Sequence, residues 1–470
     1  MPSRPAAAPA SSRPAYATAG PPTFLTSRTV VITWAGIATA LAFLGVLVGQ
    51  GLAVGIIAFL PLVALSAWAC RRLDRDERLD LVTVFFLALG VRWLVSTLIQ
   101  LLIYNTRPGL FGPDELMYDS VARYISEALS GHMPMPPEAQ SLAGLVWLNG
   151  VIYYLLGYGV LAAKLFVGLG GAWTAVLAAL IARQVVEPAA ARRVGLLAAI
   201  FPSLVLWSSL LLKDPWTLLG NELALLALLH LRRRFSVGAL GLFLLGLVVI
   251  AANRPYATIF VAAVLPGSFL VRSGGSAVRN IFVLGAIALV ALVVIRTANP
   301  LASLISDSDS NLEILATYRV AYTADAGSAV NLSAIDTSST LGLILWIPVG
   351  LAYFFLAPIP FSGTSVLSLS TSPEMLVWYA LLPSLWRGAR QVLRSERRAE
   401  ALPLLLFVVF SSVSWSTLVT NVGTLYRYRS QVLFVLILFI AADQIRRREK
   451  RFVETEARRL TPRPKALIAT

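Results

Sequence analysis

The sequence predicts an all-α, polytopic transmembrane helical protein with about 12 spans plus interfacial helices in outward loops. Of 470 residues, 57% are hydrophobic and 13% are charged, against roughly 45–50% and 25% in an ordinary soluble domain. The apolar residues fall in runs of about 16 to 26, bracketing the ~20 residues with which a helix crosses the hydrocarbon core. The third observation is charge. Lys and Arg number 39 against 24 Asp and Glu, a net +15, and most of them cluster in the joints between runs. Placing Met1–Arg28, Arg71–Arg78, Arg183–Arg193, Arg232–Arg234, Arg272–Arg279, Arg387–Arg398 and Arg446–Lys465 in the cytoplasm satisfies the positive-inside rule and accounts for the basic balance without nucleic acid.

In chain order, residues 1–28 are rich in Pro, Ala and Ser and read as a disordered cytoplasmic tail. Residues 29–445 form the membrane domain. Its expected spans are Thr29–Gln50, Leu52–Cys70, Leu79–Tyr104, Val160–Ala182, Val194–Leu212, Trp216–Leu231, Val237–Ala252, Tyr256–Val271, Asn280–Ile295, Pro373–Trp386, Ala401–Val419 and Ser430–Ile445. Two more apolar stretches, Ser141–Gly157 and Leu341–Leu356, would invert a later basic cluster if they crossed, so they are laid at the outer interface or made re-entrant. Residues 446–470 are a basic cytoplasmic tail. The expected localisation is the plasma membrane, multi-pass, with both termini cytoplasmic and long outward loops at 105–159 and 296–340. The second loop is Ser-rich and net acidic, with Asp307, Asp309, Glu313, Asp325 and Asp336, and reads as a mobile cover or a solvated loop. One cysteine, Cys70, and two histidines, His132 and His230, exclude a disulfide framework and argue against a thiolate or zinc centre, so any metal would need carboxylates.

This topology brings four polar segments to the outer face. In Pro113-Asp114-Glu115-Leu-Met-Tyr118-Asp119, a Gly-Pro turn opens an amphipathic helix. The i, i+4 spacing sets Asp114 over Tyr118 and Glu115 over Asp119. These carboxylates either stabilise the first turn through the helix dipole or serve as a base or cation ligands. In Lys213-Asp214-Pro215, Asp214 is either an N-cap before a Pro, ion-paired with Lys213, or a second functional carboxylate on the same face. Asn253-Arg254-Pro255 adds an outward Arg. Tyr426-Arg427-Tyr428-Arg429, before the last span, is either an interfacial anchor or a phosphate-binding pair, since a guanidinium takes phosphate oxygens bidentately. Inside the spans, Arg92 and Glu222 either pair with each other or mark function. Lys164 either snorkels or reaches a lipid phosphate.

With these residues in view, the chain resembles the C-type superfold of integral-membrane glycosyltransferases, and most closely the protein O-mannosyltransferase and aminoarabinose-transferase branch. The likeness spans about Leu79 to Leu231, with further support from Ala352–Pro360 and the Tyr-Arg-Tyr-Arg segment. It implies a cell-envelope enzyme of glycan biosynthesis that moves a sugar from a polyprenyl-phosphate donor to a glycan, lipid or protein acceptor on the extracytoplasmic side. Asp114 matches the family's first-loop carboxylate, the base or acceptor-positioning group, with Glu115 its neighbour, and Asp214 matches the second-loop acidic residue. Tyr118, Lys213, Arg254, Arg427 and Arg429 are the expected substrate-binding residues. Members differ over metal dependence, so a divalent cation, Mg or Mn, stays open. The chain departs from the family in placing two spans before the expected first one and in having no sizeable soluble C-terminal domain. Two other readings stand beside it: a polysaccharide polymerase or ligase using a polyprenyl-diphosphate-linked glycan, for which Arg427 would outweigh Asp114, and a polytopic transporter or flippase. The latter predicts polar groups near the midplane.

Overall fold

A computed structural model of the chain describes residues 51–74, 79–141, 144–270, 340–362, 366–419 and 421–460, with isolated positions between 32 and 49 and position 285. The expected tail 1–28, most of Thr29–Gln50, almost all of Asn280–Ile295 and the acidic loop 296–339 lie outside the described residues.

The described residues form helices joined by short turns, with no strand among them. The first half comprises α1 (Leu52–Leu73), α2 (Leu81–Leu98, prolonged by a π-helical turn over Ile99–Tyr104), α3 (Asp114–Leu129), the single turn α4 (Glu138–Ser141), α5 (Leu145–Leu156) and α6 (Val160–Val185). There follow α7 (Pro188–Ile200), α8 (Pro202–Trp207), α9 (Asp214–Arg233), α10 (Val237–Asn253) and, after a 3-10 turn at Pro255–Ala257, α11 (Thr258–Leu270). The last four are α12 (Thr340–Leu356), α13 (Val366–Leu393), α14 (Arg398–Leu418) and α15 (Val422–Leu460). Among the described residues, five stretches are long and apolar enough to cross a membrane: Leu52–Leu73, Leu81–Tyr104, Val160–Val185, Arg398–Thr417 and Val422–Ala457. α5, with 12 residues, is about 18 Å long and too short to cross a ~30 Å core.

Burial orders the bundle. The apolar window of α15 is 100% buried and that of α1 only 33%, so α15 is the central post and α1 a peripheral helix. α6 packs against α2, α7 and α9, and α15 against α13, α7 and α14. Val54, Ile57, Leu65 and Trp68 on α1, Leu245 and Val248 on α10, and Leu376 and Val377 on α13 are exposed. In a helical bundle whose backbone is satisfied internally, such apolar flanks face hydrocarbon.

Three expectations change. The expected span Val194–Leu212 is broken at Phe201-Pro202 into α7 and α8, and residues 208–213 form a non-helical turn. Pro202 has no N–H to give the carbonyl of Ala198, four residues back. Buried Arg92 supplies the missing donor: its Nη2 donates to the Ala198 carbonyl at 3.3 Å, its Nη1 to those of Ala199 at 2.9 Å and Ala88 at 3.1 Å, and its Nε to Ser208 Oγ at 2.7 Å. Arg92 therefore serves the helix break and forms no ion pair with Glu222, whose buried carboxylate oxygens accept no hydrogen bond among the described residues. Second, Tyr426–Arg429 belong to α15 rather than to a polar segment before it. Asn421 starts that helix early, its Oδ1 accepting from the backbone N–H groups of Gly423 at 2.8 Å and Thr424 at 3.3 Å, which is the capping interaction a helix start requires. Third, the expected tail from 446 continues as helix to Leu460.

α9 and α10 approach each other closely at Gly220 and Gly246. A Cβ on Gly246 would lie 2.7 Å from the Ala224 nitrogen and 2.8 Å from the Gly220 carbonyl, so only glycine permits this approach. Replacing Gly246 with Val should separate the pair and cost about 1–3 kcal/mol, as overpacking typically does. The expected result is a lower unfolding temperature in detergent, whereas Gly241→Val, where a Cβ meets nothing within 4 Å, should leave that temperature unchanged.

Candidate active site

Three chain breaks converge at one end of the bundle. Pro113 precedes the first residue of α3, Pro215 is in the first turn of α9, and Pro255 opens the 3-10 turn after α10. Each break leaves a charged residue at a helix end: Asp114, Asp214 and Arg254. The N-terminal turns of α15 supply the fourth, Arg427. α5 is fastened to the same region by Asn253, whose Oδ1 accepts from the Leu145 N–H at 3.1 Å. Gly144 makes that junction possible, with φ +66° and room for a Cβ only 2.5 Å from the Ala252 carbonyl oxygen.

The guanidinium of Arg427 joins two carboxylates. Its Nη1 donates to Asp114 Oδ2 at 2.8 Å, its Nε to Asp214 Oδ2 at 2.7 Å, and Nη2 lies 2.5 Å from the same Asp214 oxygen. Arg254 approaches Asp214 from the other side, with Nη2 at 3.1 Å from Oδ1 and 3.2 Å from Oδ2. The rest of Arg254 is held by the hydroxyls of Tyr428 at 2.7 Å and Tyr256 at 2.9 Å, while its Nε has no acceptor among the described residues. Gln431 Nε2 donates to the Asp214 backbone carbonyl at 3.0 Å, tying α15 to α9. Burial pushes the Asp214 carboxyl up, but Arg254 and Arg427 outweigh it and hold the group below the ordinary Asp value. Asp214 is therefore a buried anion paired with two guanidinium groups, and it neither caps α9 with its side chain nor pairs with Lys213.

Asp114 differs. Its side chain is 46% exposed, and Oδ1 accepts no hydrogen bond among the described residues, leaving one carboxylate oxygen open. Lys213 lies with its Nζ 4.9 Å from the Tyr118 ring centroid and makes no ion pair among the described residues. Burial, followed by repulsion from Arg254, lowers its ammonium to about 8. Burial likewise raises the Tyr118 hydroxyl to about 12.

Asp114, Tyr118, Lys213, Asp214, Arg254 and Arg427 thus form one cluster. Glu115 and Arg429 point elsewhere. One residue further along α3, Glu115 is rotated away from Asp114 and buried, with Oε1 2.6 Å from Lys164 Nζ and accepting the Leu211 N–H at 3.1 Å. Lys164 also donates to Gln100 Oε1 at 2.8 Å, so it neither snorkels nor reaches a lipid headgroup. Arg429, two residues past Arg427, lies on the opposite side of α15, as i, i+2 positions of a helix must. Its Nη1 donates to the Phe355 and Ala357 carbonyls at 3.1 and 3.3 Å, and its Nη2 lies 3.8 Å from Glu374 Oε1. Asp119 accepts from the hydroxyls of Tyr153 at 2.6 Å and Tyr158 at 3.1 Å. Sequence reasoning missed Tyr256, Tyr428 and Gln431. For Tyr256 and Tyr428 the available signal was adjacency, each lying within two residues of a site arginine.

A divalent cation fits this donor set poorly. Both Asp214 oxygens are occupied by guanidinium groups, and no group of three or more His, Cys, Asp or Glu suited to a metal ion converges among the described residues. The chemistry on offer is one accessible carboxylate oxygen beside three buried cationic side chains.

No family model matches the chain, and no curated protein matches it. Two solved structures of the oligosaccharyltransferase of Archaeoglobus fulgidus are similar in part. The archaeal enzyme AglB in complex with an inhibitory peptide and a dolichol-phosphate is 14% identical, covering 80% of this chain and 52% of that chain at a TM-score of 0.44. The apo form is 15% identical with the same coverage and TM-score. The chain thus spans about half the length of either structure.

Proposed function

We propose that the protein is a membrane glycosyltransferase that moves a sugar from a polyprenyl-phosphate donor to an acceptor hydroxyl on the extracytoplasmic face. The observation that carries this reading is the half-exposed Asp114 carboxylate set against the cationic wall of Arg427, Arg254 and Lys213. Charge supports the side. Asp214 begins α9, and Arg232 and Arg233 lie in its last turn, about 28 Å away along the helix axis. Arg446, Arg447 and Arg448 likewise follow Arg427 along α15. With the basic ends cytoplasmic, the cluster faces outward.

In the reaction, the acceptor O–H gives its proton to the open oxygen of Asp114 as the hydroxyl oxygen bonds to the anomeric carbon. The bond from that carbon to the phosphate oxygen breaks, its electron pair leaves with the phosphate, and the phosphate charge changes from one negative to two. Preorganised cations stabilise charge where it develops. Lys213 and the unmatched Nε of Arg254 supply that stabilisation, so the leaving group needs no general acid.

Asp114→Asn should keep the fold and the bound donor while lowering turnover by about 10²–10⁴-fold, the usual contribution of a positioned base. Retained turnover would reduce Asp114 to a helix-end charge. The donor itself is read by native mass spectrometry of gently solubilised protein: a co-purifying polyprenyl-phosphate sugar, diminished in Lys213→Met, is the expected result. A diphosphate-linked glycan would point instead to a polymerase or ligase, and no lipid at all would favour transport.

The pH profile supplies another prediction. Below about pH 8 Lys213 is an ammonium and attracts phosphate; above it the charge is lost. Because kcat/KM reports the free enzyme, it should fall as pH rises through about 8 in the wild type. In Lys213→Arg, whose guanidinium stays charged, that limb should disappear.

A further inference from the structure

We propose that Arg427 takes the place a divalent cation would hold between the paired carboxylates, and that the site handles its substrate with no bound metal. This deepens the transferase reading and rests on it only for the activity measurement below.

The geometry is the first ground. A metal shared by Asp114 and Asp214 would stand between them, and the Arg427 guanidinium stands there, 2.8 Å from one carboxylate and 2.5 Å from the other. The second carboxylate has no spare oxygen, because Arg254 approaches Asp214 Oδ1 at 3.1 Å. To bind a cation, the protein would have to withdraw Arg427 from both partners. That would strand a guanidinium whose side chain is 9% exposed, and an uncompensated buried charge is strongly destabilising.

The second ground is charge balance. Arg254, Arg427 and Lys213 face Asp114 and Asp214, a surplus of one positive charge, while the neighbouring Lys164 and Glu115 cancel each other. A divalent ion would raise that surplus to three in a mostly buried site. A phosphate diester, with its single negative charge, would neutralise it. The cluster is therefore electrostatically complete for an anion and repels a second cation. The guanidinium supplies what a metal would supply here, fixed positive charge that spans both carboxylates, and unlike a metal it cannot be chelated or exchanged.

The test uses the full-length protein in detergent. Mn²⁺ titrated into substrate-free wild type and Asp114→Asn protein is followed by electron paramagnetic resonance. The two spectra should match, with no stoichiometric bound Mn²⁺ in either. A bound Mn²⁺ that Asp114→Asn removes would overturn the proposal. This measurement needs no turnover, so it decides the metal question even if the transferase reading fails. Where turnover is measured, it should be unchanged by EDTA; loss in EDTA reversed by added Mg²⁺ or Mn²⁺ would overturn the proposal. Finally, Arg427→Ala should lose turnover and regain part of it with added guanidinium ion. Failure of rescue in a variant that still folds, judged by its unfolding temperature, would also count against it.

Discussion

Everything at this end of the molecule hangs on one guanidinium. Arg427 lies 313 positions from Asp114 and 213 from Asp214 in sequence, yet it bonds both, locking the amphipathic α3, the start of α9 and the start of α15 into one frame. A charge buried in that way needs matching, and the surrounding residues match most of it: Arg254 meets Asp214, two tyrosine hydroxyls hold Arg254 Nη1, and Gln431 fixes the Asp214 backbone. Asp114, Asp214 and Arg254 sit at helix ends, so the site is built largely where helices stop, with Arg427 and Gln431 reaching it from the first three turns of α15.

The same logic operates deeper in the bundle, with different residues. Arg92 answers the carbonyls that Pro202 leaves open, and Lys164 and Glu115 cross-link α6 to α3 while Glu115 also holds the turn before Asp214. These groups are charged because a bundle in hydrocarbon cannot leave backbone polar groups unmatched at a break. They position the cluster without belonging to it. Glu222 is the exception, a buried carboxyl with both oxygens unmatched among the described residues.

The helical membrane fold was legible in the sequence because hydrophobic run length and the distribution of basic residues are one-dimensional signals. The bounds of the helices α1, α2, α6, α10 and α14 were located to within a few residues. The break at Pro202 was not read as a break because the apolar run continues unbroken through it. Of the candidate residues, Asp114, Asp214, Arg254 and Arg427 were legible as polar groups beside the ends of apolar runs, and the structure brings them together. Glu115 and Arg429 were grouped with them by proximity in sequence. A helix turns about 100° per residue, which separates neighbours that a linear reading keeps together. Which side of α3 or α15 would face the cluster depends on contacts with α6, α9 and α13, and no local pattern encodes those.

α15 carries a consequence for how this chain can change in length. It runs 39 residues without interruption, about 58 Å, with the bridging arginine in its second turn and its wholly buried apolar stretch downstream. Adding or deleting one residue between Arg429 and Arg446 would rotate the arginine by about 100° relative to the helix beyond, and even seven residues, close to two full turns, would restore its facing only by carrying it about 10 Å along the axis. In this segment the turn and the rise of the helix fix the length together. The surface turns of the same protein carry no such arithmetic, so insertions there and insertions here are different kinds of event.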